Sequence, residues 1–295
     1  MNPRSGPGIR WSFASLRREI DRHWDVPGCD LSYQFCQSVE DSIAKVKRAI
    51  DAGVDTILVA GGDGTISSVG RVLVGSEVSL GAIPTGSGNG FARHFGIPLS
   101  PPEAAAALAG ARTVRIDVGV VIDTPFLVTC SMAWDASIAR AFEALPIRGF
   151  LPYVFAGMQE FLGYKPQPMD VRFDSGETLH FEDPFIFTIA NMSQYGGGAL
   201  IAPHARADDG RLELVVALRQ DAPKLVANIG RLFDGSIDKL PEVLFRSFRR
   251  MTIRREHAAP IQIDGELVDA PAEIEVEVKP GALKVLAPEG SDAPL

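Results

Sequence analysis

Cysteine is scarce: Cys29, Cys36 and Cys130 are the three in 295 residues. Odd in number and without paired spacing, they indicate neither a disulfide framework nor a zinc site, and a reducing cytosol suits them best. Positive charge is in deficit as well. Against 37 Asp and Glu stand 29 Lys and Arg, a net charge of −8, so the basic stripe with which a nucleic-acid binder displaces counterions is missing. No uninterrupted apolar run approaches the roughly 18 residues of a spanning helix, and the start, MNPRSGPGIR, has no apolar signal core. Any membrane contact is therefore peripheral. Repeats, low-complexity tracts and long linkers are lacking too, apart from a frayed tail, APEGSDAPL.

What is present is apolar mass, 46% of the residues, on a chain long enough to divide into two cores, since single cores stop growing near roughly 250–300 residues. The first third alternates β-branched runs with helical stretches, the pattern of crossover units on a parallel sheet. SVEDSIAKVKRAIDAG reads as a helix capped by Ser38 and closed by Gly53, DTILVA as a buried strand, ISSVGRVLVG as a helix, VSLGAIP as a second strand and PPEAAAALAG as a short helix. Beyond residue 113 the texture turns to alternating runs punctuated by turns, from TVRIDVGVVI to AEIEVEVKPGALKVLAP, as in a β-sandwich. Two helical stretches, RGFLPYVFAGMQEFLGY and PKLVANIGRLFDGSI, interrupt it. The expectation is an α/β plus all-β protein: a three-layer α/β/α nucleotide-binding domain over 1–113 and a β-sandwich over 114–295.

Two glycine-rich loops follow the two strands, GGDGT at 61–65 and TGSGNG at 85–90, at the carboxyl edge where an open parallel sheet binds its ligand. Gly61, Gly62 and Gly64 are expected to use positive φ and to bring backbone N–H groups close to a phosphate at a helix N-terminus. A tight strand-to-helix turn would use the same residues. No Gly-x-x-x-x-Gly-Lys-Ser/Thr supplies a phosphate lysine, so the acid among the glycines, Asp63, makes sense beside a divalent cation or a proton transfer.

Five stretches in order, NPRSG at 2–6, GGDGT, PTGSGNGFAR at 84–93, NMSQYGGGALIAPHARADDGRLELV at 191–215 and IDGELV at 263–268, resemble the motifs of the diacylglycerol kinase catalytic family. The resemblance covers nearly the whole chain. It implies ATP held in a cleft between an α/β/α domain and a β-sandwich, and phosphoryl transfer to a lipid hydroxyl. Carried over residue by residue, it places the ATP phosphates on Asn2, Pro3, Arg4, Ser5 and Gly6, on Gly61, Gly62, Asp63, Gly64, Thr65, Ile66 and Ser67, and on Gly86, Ser87, Gly88 and Asn89. A further nucleotide contact, a Thr in relatives, falls on Cys36, where a thiol is a poor substitute and a small buried residue is the other reading. A bound Mg2+ would take the Asp209 carboxylate and the carbonyl oxygens of Arg206 and Arg211, although Asp-Asp-Gly also builds a β-turn unaided. Glu266 matches the proton acceptor, with Asp264 beside it and Asp63 completing the catalytic set; Asp-Gly is equally a hairpin turn.

The lipid side is less marked. FLPYVFAGMQEFLGY, with Phe150, Tyr153, Val154, Met158, Phe161 and Leu162, lines either an acyl channel or plain core. Arg246, Arg249, Arg250, Arg254 and Arg255 face either anionic headgroups or solvent from a strand, and Arg93 lies near phosphate or is an exposed helical residue. Gly90 stands where diacylglycerol kinases usually have Asp, a departure shared with sphingosine-kinase-like members, which leaves the lipid open. The reading is a cytoplasmic, peripherally membrane-associated ATP- and Mg-dependent lipid kinase, monomer or homodimer. The alternatives are an NAD-kinase-like small-molecule kinase and a nucleotide-binding protein without catalysis. Because Met1 directly precedes Asn2, the family's first strand is missing, and an upstream start adding a short β-branched run is expected.

Overall fold

The structure is a computed structural model that describes residues 13–25, 28–133, 166–221, 224 and 227–289. The expected phosphate contacts Asn2 to Gly6 and the apolar stripe Phe150 to Leu162 lie outside the described residues. The chain divides into two compact units, one formed up to Ile116 together with the chain from Gly281, the other by Asp117–Pro280. The expected boundary at 113/114 thus falls within a strand, and the end of the chain returns to the first unit.

In the first unit the described elements run α1 (Phe13–Trp24), α2 (Val39–Asp51), β1 (Thr56–Gly61), α3 (Asp63–Leu73), β2 (Ser79–Pro84), α4 (Gly90–His94) and α5 (Pro101–Ala109). β1 and β2 pair in parallel from Thr56↔Ser79 to Gly61↔Pro84, so both strands end at the same level. α1 packs on α5, where Trp24 Nε1 donates to the Ala105 carbonyl at 2.9 Å, and α2 packs on α3. Ser38 caps α2 through its hydroxyl, which accepts from Asp41 N–H at 3.2 Å, and Gly53 follows in the left-handed region at φ +74°, as the sequence predicts. α1 carries no acid in its first turn, and the sequence pattern does not single it out.

The chain leaves the first unit within β3 (Arg112–Val121). In the second unit follow β4 (Thr124–Phe126), β5 (Thr129–Ser131), β6 (Met169–Phe173), β7 (Thr178–Phe181), β8 (Pro184–Ala190), β9 (Gln194–Gly196), β10 (Ala199–Leu200) and β11 (Leu212–Leu218). A short α6 (Arg231–Asp234) precedes β12 (Val243–Phe248), β13 (Arg250–Arg255), β14 (Ile261–Ile263), β15 (Glu266–Val268) and β16 (Glu273–Ala287). One sheet has the order β12-β11-β8-β5-β14-β15, and its pairs are antiparallel. Facing it, β6 pairs with β7 and β13, and β13 with the start of β16. Between the sheets lies one buried core, with Phe187, Ile189, Leu214 and Ile263 from one side and Val171, Met251, Ile253 and Val276 from the other. Phe181 meets Phe187 edge-on at 6.0 Å across it. This is the β-sandwich that the alternating sequence predicts.

β16 shows how pattern follows environment. Its start, EIEVEV, alternates exposed and buried residues opposite β13, whereas its end, VLA, is buried throughout where Lys284↔Ser79 and Val285↔Leu80 pair it in parallel with β2. Glu77 fixes this return, taking both Arg115 Nη2 at 2.8 Å and Lys284 Nζ at 2.6 Å. Among the described residues no helix is long and apolar enough to cross a membrane.

Candidate active site

The two glycine loops of the first unit touch through their backbones. A Cβ on Gly86 would lie 2.6 Å from Gly62 Cα, and one on Gly62 3.2 Å from Gly86 Cα. A Cβ on Gly61 would strike Thr65 Cβ at 2.6 Å, whereas one on Gly64 has no heavy atom within 4 Å. The expectation of positive φ is overturned: Gly61, Gly62 and Gly64 are not among the left-handed glycines, and Gly62 is extended at φ −89°, ψ −179°. Close approach, not backbone freedom, is what the first loop demands. The left-handed residue is instead Asn89, at φ 52°, ψ 42°. Its side chain closes the second loop, Oδ1 accepting from Gly86 N–H at 3.0 Å and Nδ2 donating to Gly86 O at 2.9 Å.

Asp63 opens α3, so the helix starts three residues earlier than the sequence suggests and Thr65 lies inside it. Its Oδ1 accepts from Phe91 N–H at 3.2 Å. The acid therefore joins the two loops by capping the helix after the second, and its charge is favoured by the N-terminal dipole of its own helix. Gly64 and Ser87 are exposed at the loop mouths, while Ile66 and Ser67 are buried, the Ile66 N–H being taken by Gly62 O at 3.0 Å. Arg93 is half-buried and donates from Nε to Gly88 O at 3.2 Å, which ties it to the second loop. Cys36 is half-buried in the loop before α2, not a buried core residue. His94 in α4 is buried against Phe95, and burial pushes its pKa down to about 4.

In the second unit Asp264 and Gly265, at φ 48° and φ 91°, form the two-residue turn between β14 and β15, with Ile263 opposite Glu266. Positive φ at both positions is the type I′ geometry that Asp-Gly favours. Glu266 is exposed at the mouth of this hairpin, whereas Asp264 is 8% exposed. The Asp264 Oδ2 accepts from Leu127 N–H at 2.8 Å, and Oδ1 accepts from Val128 N–H at 2.8 Å and Thr129 N–H at 3.1 Å. These bonds account for a break the sequence does not reveal: PFLVTCS forms β4 and β5 with Leu127 and Val128 outside both. Asn191, 1% exposed, holds the same segment from the other side, donating from Nδ2 to the carbonyls of Leu127 and Asp117, both at 2.9 Å. Asp117 is buried in turn, and its Oδ2 accepts from Gly210 N–H at 2.6 Å.

The Asp208-Asp209-Gly210 turn is present, with Gly210 at φ +71° and the Asp209 Oδ1 accepting from Arg211 N–H at 2.9 Å. Asp209 is exposed. Among the described residues no cluster of three His, Cys, Asp or Glu could hold a metal. Tyr195 bonds through its hydroxyl to Thr188, whose Oγ1 lies 3.2 Å from Ser131 Oγ.

Comparison with known proteins gives these features a context. The diacylglycerol kinase catalytic domain matches residues 1–121, and the YegS C-terminal NAD kinase beta sandwich-like domain matches 129–287. A diacylglycerol kinase of Mycobacterium tuberculosis is 30% identical over 97% of this chain and 93% of its own. The chain belongs to the diacylglycerol kinase catalytic family. It is a lipid kinase, and a Pseudomonas aeruginosa protein named "Probable lipid kinase YegS-like" is 33% identical over 90% of this kinase and 87% of its own length. The fold is that of a diacylglycerol kinase from Bacillus anthracis, TM-score 0.76 at 20% identity over 100% and 96% of the two chains. An Archaeoglobus fulgidus NAD kinase in complex with ATP shares the fold more distantly, TM-score 0.52 at 14% identity over 93% and 90%.

In this kinase the structure brings together Gly62, Asp63, Gly86 and Asn89 in one unit, and Asp264 with the turn that bears Glu266 in the other. The arginine stretch is not a bare basic face. Arg246 pairs with Glu177, Arg250 with Glu277 and Arg254 with Glu273, while Arg255 is buried, its Nη2 donating to the carbonyls of Ala259, Ala270 and Pro271. Asp117 and Asn191 received no role from the sequence. Each had a signal, a polar residue set in or at the end of an apolar strand, RIDVGVV and FTIAN, where burial requires a hydrogen-bond partner.

Proposed function

We propose that this lipid kinase transfers the γ-phosphoryl group of ATP to the hydroxyl of a neutral lipid alcohol, of diacylglycerol or sphingoid type, at a cytoplasmic membrane surface. The observation that carries the nucleotide half is the backbone contact of Gly62 with Gly86, which sets two loops side by side at one sheet edge with Gly64 open to solvent. The N-terminus of α3 then offers a phosphate main-chain donors and a favourable dipole. Asp63 orders these loops and presents negative charge where a metal-nucleotide would sit.

The attacking hydroxyl must lose its proton as the new P–O bond forms. Glu266 is exposed, carries a carboxylate and stands on a fixed hairpin, and it is the residue assigned to accept that proton. Asp209, with the main-chain oxygens of Arg206 and Arg211, is the assigned holder of Mg2+. When bound, the ion supplies neutralising charge for phosphoryl oxygens.

The test is incubation of the purified protein with γ-labelled ATP and detergent-dispersed lipid extract, followed by thin-layer separation. A labelled lipid is expected. A labelled water-soluble product, or no product from folded protein, would overturn the proposal. Replacing Glu266 by Gln should lower kcat about 10²- to 10⁴-fold with little change in the KM for ATP.

A further inference from the structure

The Asp264 carboxylate lies next to the proposed proton acceptor in sequence, yet its bonding points inward. A carboxylate offers about four acceptor positions, and three are engaged by consecutive main-chain donors, Leu127, Val128 and Thr129, within 2.8–3.1 Å. The Asp264 N–H also donates to Thr129 O at 2.9 Å. The residue is 8% exposed, so little of it is open to a substrate.

The same segment is gripped a second time. Asn191 N–H donates to Val128 O at 2.9 Å while its side chain donates to Leu127 O and Asp117 O. Residues 127–129, which carry no motif of their own, thereby connect the Asp-Gly-Glu hairpin to the Asn191 stretch. The left-handed Asp264 is followed directly by Gly265 and then Glu266, so rotation of the clamp would swing the hairpin mouth.

We infer that Asp264 is a positioning residue: it takes no proton and binds no metal, and it acts on catalysis by fixing the turn that aims Glu266. The inference rests on the reading of Glu266 as proton acceptor. Asp264→Asn is the informative change, because Asn-Gly forms the type I′ turn as readily as Asp-Gly. The new NH2 group faces N–H donors and unlocks the clamp while the turn survives.

The experiment is a double-mutant cycle with Glu266→Gln, using γ-labelled ATP and detergent-dispersed lipid extract. Alone, Asp264→Asn should lower kcat at least tenfold and leave the KM for ATP within twofold. In the Glu266→Gln background it should lower kcat by less than twofold, since there is no longer a base to aim. Equal losses in both backgrounds would mean that Asp264 meets the reacting atoms itself, and would overturn this inference alone. A lowered melting temperature with unchanged kcat would make the clamp merely structural and overturn it too. Wild-type kcat in Glu266→Gln would overturn both this inference and the role of Glu266. If Asp264→Asn does not fold, Asp264→Ser, which keeps one acceptor, is read by the same cycle.

Discussion

Gly86 and Gly64 lie in neighbouring loops of the same unit, yet the structure predicts opposite consequences for the same added methyl group. In Gly86→Ala the new Cβ would sit 2.6 Å from Gly62 Cα and 3.0 Å from Asn89 Oδ1. Ordinary carbon contacts are about 3.5–4.0 Å, so the loops must part by about an ångström, and the obstacle is backbone that has no rotamer to change. Overpacking of this kind costs about 1–3 kcal/mol, and straining the Gly86–Asn89 bond adds about 1 kcal/mol. At about 2–4 °C per kcal/mol for domains of 150–250 residues, a loss of about 2–4 kcal/mol lowers the melting temperature by roughly 4–16 °C. In Gly64→Ala nothing lies within 4 Å of the methyl, and alanine within a helix gains about 0.5–1 kcal/mol over glycine. Its melting temperature should hold or rise by a few degrees. The methyl would stand where the proposed phosphate approaches, so the KM for ATP should rise about tenfold or more, equivalent to about 1.4 kcal/mol. Thermal unfolding together with ATP titration of both variants separates the effects. An unshifted melting temperature in Gly86→Ala would refute the close packing of the loops, and an unchanged KM for ATP in Gly64→Ala would refute the phosphate cradle.

Asp63→Asn keeps an oxygen for the Phe91 amide but removes the charge; kcat should fall by at least roughly 10²-fold in a protein whose circular dichroism is unchanged, and wild-type turnover would sink the assignment. Added Mg2+ should raise the wild-type melting temperature, by about 2.7 kcal/mol of linkage at a hundredfold excess over Kd, and Asp209→Ala should abolish the increment; a mutant that keeps it leaves the turn without a metal role. His94 is held at about 4 by burial, below its usual 6.5. Between these values the unfolded chain binds the proton and the folded one does not, so the contribution of His94 is complete above about pH 6.5 and is lost as pH falls toward 4. Unfolding measured from pH 7 to 4 should show a shallower decline in His94→Gln, and identical slopes would contradict the role of this buried imidazole.

Local chemistry is enough to fix much of the architecture. Ser38 and Gly53 mark their helix because caps act on immediate neighbours, and the alternation in EIEVEV declares a strand with one wet face because side chains alternate at every residue. Asp264-Gly265 announces a type I′ turn for the same reason, and the five ordered motifs carried the family. Tertiary structure decided what depends on partners far along the chain. The glycines of the first loop were expected to serve backbone freedom, but Gly62 answers to Gly86, 24 positions away, through a close approach that no local pattern encodes. Asp63 caps Phe91 and Asp264 clamps residues more than 130 positions earlier, so an acid that reads as catalytic in sequence can be an anchor in space. The arginine stretch turned on register as well, for the pairing of β13 with β16 sets Arg250 and Arg254 against Glu277 and Glu273. Hydrogen bonds and ion pairs act over about 3 Å whatever the separation along the chain, so their partners are set only once the sheets have brought those residues together.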